Sequence, residues 1–380
     1  MNGVDVNGEV NDQVMSGAMP FKEHGGQEVL DAALESELLK MTTDISCVSS
    51  SKYVIVVVGT PLDGDYRPDL SYLDHCIEEM TAHVRRGLCI ILRSTVPPGT
   101  TDRVRRQLAD ITGLTEGRDF TLVYAPERFS QGNTLKEITE LPQLIGAYDE
   151  RGFALVSDFF STFSSGMNIM LTPVEAELGK IITNTARYVS FALSNEFHLV
   201  ASRYDGVNIN KVIDACNYNY PRLNIPTPGP NVGGPCLHKD GWFLDQEMFR
   251  LAFRINESMP SEIVRQLDGY DGIDKVAILG MTFKADSDDV RNSLSFSLLD
   301  QLESRGYRCV TIDSHLDDHS NVADLSGCDA VVLMTPHQEF KNMSDIMEAV
   351  DNPSCLYLDV WGFWNEMRYR SVHGMWEAKG

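Results

Sequence analysis

Tyr53-Val54-Ile55-Val56-Val57-Val58 runs directly into Gly59-Thr60-Pro61. The run has no helical period, it is rich in β-branched residues, and Gly and Pro stop it. That is the pattern of a strand covered on both faces in a parallel sheet. The pattern recurs downstream. Leu88–Leu92 reads as a second strand, stopped by Arg93-Ser94-Thr95-Val96-Pro97-Pro98-Gly99-Thr100-Thr101, and Phe120–Tyr124 as a third, stopped by Ala125-Pro126-Glu127-Arg128. Helical periodicity fills the intervals, over Leu70–Arg86 and Thr101–Leu108. Strand, loop and helix in alternation predict a doubly wound α/β domain. Ligands of such sheets bind at the carboxyl ends of the strands, so Thr60, Thr95 and Glu127 are the first site candidates.

Upstream, Gly3-Val4-Asp5-Val6-Asn7 reads as the end of a strand with an acid at its tip. In a dinucleotide-binding βαβ unit, an acid at the tip of the second strand bonds the ribose hydroxyls. The glycine fingerprint that should stand before it is not there. Gly25-Gly26 follows no strand and has the wrong spacing. The first domain is therefore expected to lack its opening strand, glycine-rich turn and helix.

Composition narrows the function. A chain of 380 residues has room for two or three domains. Its net charge of −23, from 32 basic and 55 acidic residues, disfavours nonspecific nucleic-acid binding and leaves any anionic ligand to a few focused cations and backbone N–H groups. No apolar run approaches a membrane span, and the first residues have neither the basic nor the apolar part of a secretory signal. The eight cysteines show no Cys-x-x-Cys pair and no regular spacing, so neither a metal site nor a disulfide framework is expected, and the cytoplasm is the expected compartment.

Thr172-Pro173-Val174-Glu175 opens a helix predicted to run to about Arg203, with Pro in the first turn where a missing N–H does little harm. Its length suits a connection between domains or a dimer contact. Lys180, Asn184 and Arg187 share one face of it. Next comes a built loop, Pro228-Gly229-Pro230-Asn231-Val232-Gly233-Gly234-Pro235-Cys236-Leu237-His238-Lys239-Asp240. Three glycines and three prolines dictate its path and present one thiol, with a carboxylate four residues on. Arg250–Leu267 reads as a connector broken at Met259-Pro260. A second alternating α/β region follows, with strands at Lys275–Leu279, Arg308–Ile312, Ala330–Met334 and Cys355–Asp359, and a helix over Leu294–Arg305.

Taken together these pieces resemble the UDP-glucose and UDP-N-acetylhexosamine 6-dehydrogenase family. The motifs stand in order as Val58-Gly59-Thr60-Pro61, Ser94–Thr101, Pro126-Glu127-Arg128 with Gly132, Glu177-Leu178-Gly179-Lys180 with Asn184, Asn195-Glu196, Gly233-Gly234-Pro235-Cys236 with Asp240, and Phe283-Lys284 with Asp289-Val290-Arg291-Asn292-Ser293. The resemblance implies NAD-dependent oxidation of C6 of a UDP-sugar, twice, from alcohol to carboxylate. It implies that Cys236 captures the aldehyde and becomes a thioester, that Lys180 and Asn184 stabilise an oxyanion or hold water, and that Asp240 is a base or orients Lys180. It further implies that Glu127 assists thioester hydrolysis and that Thr95 positions water or cofactor. Glu127, Arg128, Lys180, Asn184, Gly233, Phe283 and Lys284 would contact the UDP-sugar, Thr60 and Thr95 the cofactor, Arg291 a phosphate of the cofactor or substrate, and Asp5 the cofactor's ribose.

The expected organisation is a truncated NAD-binding Rossmann-like domain over residues 1–165, a central helical dimerisation domain carrying the Cys loop over 166–260, and a UDP-sugar-binding Rossmann-like domain over 261–380. A homodimer through the long helix is expected, without metal, nucleic-acid or membrane partners. The Ser94–Thr101 and Pro126-Glu127-Arg128 phrases are more similar to the N-acetylhexosamine branch than to the UDP-glucose branch. The alternative is a truncated, inactive homologue that keeps UDP-sugar binding as a scaffold.

Overall fold

The structure is a computed structural model and describes residues 1–130, 132–317, 322–364, 370–372 and 375–377. The chain divides into two compact units, Met1–Thr183 with Lys239–Leu244, and Asn184–His238 with Asp245–Gly380.

The first unit begins with β1 (Asn2–Val4), α1 (Gly8–Met15), α2 (Gly26–Glu35) and β2 (Lys40–Thr42). Strands β1 and β2 form a two-stranded parallel sheet of their own. Then come β3 (Tyr53–Val56), α3 (Ser71–Thr81), β4 (Cys89–Leu92), α4 (Thr100–Thr112), β5 (Thr121–Tyr124), α5 (Thr134–Glu140), β6 (Gln143–Gly146), α6 (Glu150–Phe160), β7 (Asn168–Leu171) and the start of α7 (Pro173–Ala201). The sheet order is β3-β4-β5-β6-β7, parallel except between β5 and β6. Strand β4 shows why the sheet is two-sided. Its Ile90 and Leu92 enter the core under α3 and α4, while Cys89 and Ile91 enter the core under α6. This is the double burial that a continuous apolar run predicts.

Strand β3 departs from that prediction. Ile55 is 41% exposed and Val57, just past the strand, 65%. The reason is topological, since β3 pairs with β4 alone among the described residues. A dinucleotide-binding sheet of order 3-2-1-4-5-6 puts a central strand between its second and fourth strands. The pair β1–β2 and the sheet from β3 onward are the two flanks of that order without its middle.

The second unit holds the rest of α7, α8 (Ile209–Asn217), and most of α9 (Leu237–Asp240), whose last two residues belong to the first unit. Next come α10 (Glu247–Leu267), β8 (Lys275–Leu279), α11 (Leu294–Ser304), β9 (Arg308–Ile312), β10 (Ala330–Leu333), α12 (Met343–Val350), β11 (Leu356–Leu358), β12 (Arg370–Val372) and β13 (Met375–Glu377). The sheet order is β12-β13-β11-β10-β8-β9, with β8 to β11 parallel. The expected break at Met259-Pro260 does not occur, and α10 runs through Pro260. A mid-helix proline removes one hydrogen bond and crowds the carbonyl a turn back. Here Ile263, Val264 and Leu267, beyond the proline, are buried in the core with Leu298 and Leu302 of α11, and that packing carries the helix on.

The loop before α9 is tied into this unit by Asn231. Its Oδ1 accepts from Leu294 N at 2.7 Å. Its Nδ2 has Thr282 O and Thr335 Oγ1 at 2.9 Å, with Ser293 Oγ and Ser295 Oγ slightly further. All of these groups are buried, and Asn231→Ala would take the acceptor from Leu294 N and remove every donation of the amide, although Thr282 O keeps Thr335 Oγ1 as a donor. The substitution is expected to cost about 3 kcal/mol, read as a lower urea midpoint for the second unit with little change in the first.

Candidate active site

In the first unit the site candidates gather at the carboxyl ends of β3, β4 and β5. Thr60 is buried, and its hydroxyl donates to Thr95 O at 2.6 Å, joining the ends of two adjacent strands. Ser94 Oγ repeats the link by donating to Val58 O. Glu127 is exposed after β5, and Arg128 donates to Pro142 O at 2.5 Å. Arg93 is buried at the end of β4 against Phe129 and Phe160. Burial lowers its pKa, and nearby Glu127 partly offsets this.

Glu177 organises the rest. It is fully buried on α7, and its carboxylate accepts from Gly99 N at 2.5 Å and from Thr101 N and Oγ1 at 2.7 and 2.6 Å. A carboxylate on the first N–H groups of a helix satisfies orphan donors and complements the dipole. Burial still pushes the Glu177 pKa up against these bonds. Gly99 allows the approach by turning at φ 91°. The Ser94–Thr101 loop is thereby fastened to the helix that carries Lys180 one turn later.

Lys180 is only 7% exposed, which rules out a solvated surface lysine. Asp240 is fully buried in the same unit, and Lys239 Nζ lies 3.9 Å from its Oδ1. Lys239 Nζ also donates to Thr60 O at 2.7 Å and lies near Thr60 Oγ1 at 3.1 Å. Trp242 stacks on Tyr66 with centroids 4.7 Å apart. These contacts explain why Lys239–Leu244 belongs to the first unit. Tyr124 at the end of β5 has its pKa raised by burial first and then by the charges of Glu177 and Asp240, which places the three in one neighbourhood.

In the second unit Cys236 is exposed and heads the turn into α9. Its loop packs on the segment after β8. A Cβ at Gly233 would meet Asn292 O at 2.3 Å, and one at Gly234, where φ is 83°, would meet the Phe283 ring at 2.6 Å. Glycine is required at both. Arg291 forks onto Asp289 through Nε and Nη2 at 2.9 and 2.6 Å. That bond is the main cause of its raised pKa, and the nearby Cys236 thiol adds to it. Lys284 and Phe283 follow β8 and are partly buried. Asn184 is buried on α7.

The first unit thus carries Thr60, Thr95, Glu127, Arg128, Lys180 and Asp240, of which Thr60 and Thr95 are hydrogen-bonded to each other, with exposed Asp5 at the tip of β1. The second carries Asn184, Gly233, Cys236, Phe283, Lys284 and Arg291. Sequence reading missed Lys239, Asn231 and Arg93. Lys239 was visible only as a neighbour of Asp240, Asn231 as a polar residue inside a Gly/Pro run, and Arg93 as a cation ending an apolar strand. Among the described residues Asp286, His315 and His337 form a cluster with metal-ligating chemistry. His337 Nδ1, however, accepts from Asp286 N at 2.9 Å, and its Nε2 faces Asp313 Oδ2 at 3.2 Å.

Comparison with known proteins agrees in each region. Models of the UDP-glucose/GDP-mannose dehydrogenase family match the NAD binding domain over residues 1–164, the central domain over 174–259 and the UDP binding domain over 277–366. The UDP-N-acetyl-D-mannosamine dehydrogenase of Pyrococcus horikoshii is 35% identical over 359 residues, covering 90% of this chain and 85% of that protein. The structure of the P. horikoshii enzyme superposes with a TM-score of 0.85 at 34% identity, over 92% of this chain and 87% of that one. A UDP-N-acetyl-mannosamine dehydrogenase from Staphylococcus aureus gives 0.83 at 29% identity, over 96% and 93%.

Glu177→Ala would leave two backbone N–H groups and a hydroxyl buried without an acceptor. A loss of about 3 kcal/mol is expected, measured as a fall in the thermal midpoint of the first unit. Glu177→Gln retains one acceptor oxygen and should lose less.

Proposed function

Because the chain belongs to the UDP-glucose/GDP-mannose dehydrogenase family, we propose that it oxidises C6 of UDP-N-acetyl-D-mannosamine to the uronate through a thioester on Cys236. It is an NAD-dependent nucleotide-sugar dehydrogenase. The observation that supports the sugar is the 35% identity to a UDP-N-acetyl-D-mannosamine dehydrogenase along nine-tenths of the chain.

Asp5 fits the ribose end of NAD, being an exposed carboxylate just past a parallel strand, where a diol can be bonded. Thr60 and Thr95, whose strand ends are joined, fit the far side of the same cofactor, and Arg291 is the cation available for its phosphates or those of the substrate. A glycine-rich turn between a strand and a helix, the usual pyrophosphate cradle, is not found among the described residues. When bound, each of two successive NAD molecules would accept one hydride from C6.

The chain's own residues then have separable tasks. Asp240, fully buried, takes the alcohol proton directly or through Lys180. The Cys236 thiolate adds to the resulting aldehyde, forming the C–S bond of a thiohemiacetal, so the half-oxidised sugar cannot leave. The Lys180 ammonium and the Asn184 amide stabilise the oxyanion. After the second oxidation Glu127 draws a proton from a water positioned by Thr95, and that water's oxygen bonds the thioester carbonyl carbon. The C–S bond breaks, releasing the carboxylate and restoring the thiolate. Lys284, Phe283, Arg128 and the backbone at Gly233 hold the UDP-sugar.

Leu193, Val200, Tyr204 and Tyr218 in and after α7 are 38–85% exposed, an apolar surface that supports a homodimer through the central region. Among the described residues no helix is long and apolar enough to cross a membrane. A nucleophilic thiol is best kept in a reducing compartment, and the cytoplasm is the proposed location.

With a panel of UDP-sugars, UDP-N-acetyl-D-mannosamine should turn over best and give two NADH per sugar. Cys236→Ser should lower acid formation by more than about a thousandfold while UDP-sugar binding, measured by calorimetry, stays within a few-fold. Acid formed at the unmodified rate by that variant would refute the thioester route.

A further inference from the structure

Two ionisable groups where the Cys236 loop meets α10 have no task in the chemistry above. His238 follows the thiol by two residues, and its N–H reaches back to Gly234 O at 3.4 Å. Its Nε2 lies 3.7 Å from Glu257 Oε1 on α10. Phe253, one turn earlier on α10, meets the imidazole edge-on with centroids 4.9 Å apart. Glu257 Oε1 is buried and has no hydrogen-bond partner among the described residues. Burial raises the Glu257 carboxyl to about 7 and lowers the His238 imidazole. Tyr188 faces the same carboxyl from α7, its own pKa raised by burial and then by that charge. The titratable groups facing Glu257 are thus His238 from the loop and Tyr188 from the helix.

Neither group is comfortable charged alone in this setting. Together they accommodate one proton, as a carboxylic acid against a neutral imidazole or as an ion pair of zero net charge. We propose that Glu257 and His238 form a proton-holding pair that positions the Cys236 loop on α10 and sets the charge at the base of that loop. The proposal rests on the reading of Cys236 as the nucleophile. While the pair keeps its proton, it is neutral and the loop is held. When that proton leaves to solvent, a negative charge appears behind the loop, and a like charge disfavours the thiolate. His238 and Glu257 are positioning residues, since they act through Cys236.

The test uses the full chain without sugar or NAD. The rate of Cys236 alkylation by iodoacetamide, followed by mass spectrometry of the peptide that carries it, is measured against pH. The wild-type rate should climb less than expected above pH 7. Glu257→Gln should alkylate on the order of fivefold faster than wild type at pH 8 and equally at pH 6. The thermal midpoint gives a second readout with a defined sign. A carboxyl whose folded pKa is raised contributes stability that is present below its unfolded pKa and lost as pH rises through about 7. The midpoint of Glu257→Gln relative to wild type should therefore increase from pH 5 to pH 8. Should Glu257→Gln not fold, His238→Gln is the second variant: it leaves the buried carboxyl in place but removes the imidazole that can share its proton, so the inflection in its alkylation curve should persist and move to higher pH. Identical curves in wild type and variant, or a midpoint difference that does not change with pH, would overturn the proposal. Because neither readout needs turnover, the proposal can fail independently of the sugar assignment.

Discussion

A single buried carboxylate sets the geometry of the first unit's site. Glu177 carries two backbone N–H groups and a hydroxyl from the start of α4, and it has been taken out of water to do so. An ionised carboxylate in that position is tolerable only because all three donors are in place. The consequence is positional. The loop ending β4 and the helix bearing Lys180 cannot move independently, and Thr60 adds the end of β3 to the same assembly through Thr95. A cation used at a reacting centre must be held to within a fraction of an ångström, and a short, fully satisfied polar link from a rigid helix is how that is done.

The thiol is held by a different physical device. Around Cys236 the chain is too short of side chains to pack by hydrophobic burial, so it is placed by exclusion. Gly233 and Gly234 sit where any Cβ would strike Asn292 or Phe283, and Gly229 sits where one would strike the Trp361 ring at 2.2 Å. Asn231 then fixes the loop by donating to Thr282 O and by accepting from Leu294 N, which would otherwise be orphaned. Past His238 the chain passes into the other unit, where Lys239 is committed to Thr60 and Trp242 to Tyr66. One stretch of thirteen residues thus carries a thiol that belongs to one unit and a carboxylate that belongs to the other.

Much of this was legible beforehand, and the reasons are specific. Apolar runs such as Cys89–Leu92 announce strands because each residue enters one of two cores, and the Gly/Pro stops announce the polar strand ends. Strand β3 was misjudged because burial on both faces also needs a neighbour on each edge, which a local pattern cannot report. Pro260 was misjudged because intrinsic propensity is overridden when the following turn has a core to enter. The candidate residues were found by motif, but their supports were not. Asn231, Lys239 and Glu177 act through contacts spanning between 50 and 180 positions in the chain, and no spacing rule reaches that far.

The same distinction bears on charge. A chain with net charge −23 repels the anionic nucleotide sugar its family handles, so affinity cannot come from a general field. On the proposed reading it comes from a few focused cations and backbone N–H groups. Arg93 is stacked between two phenylalanine rings, Lys180 is withdrawn from the surface, and Lys239 is bound to the neutral oxygens of Thr60 with Asp240 no closer than 3.9 Å. Arg291 is the contrast, since its fork is closed on Asp289. A phosphate must compete with that carboxylate to use it. On the proposed reading Arg291 then contributes discrimination rather than raw affinity, since a ligand offering two oxygens in one plane is the kind that competes with a forked carboxylate.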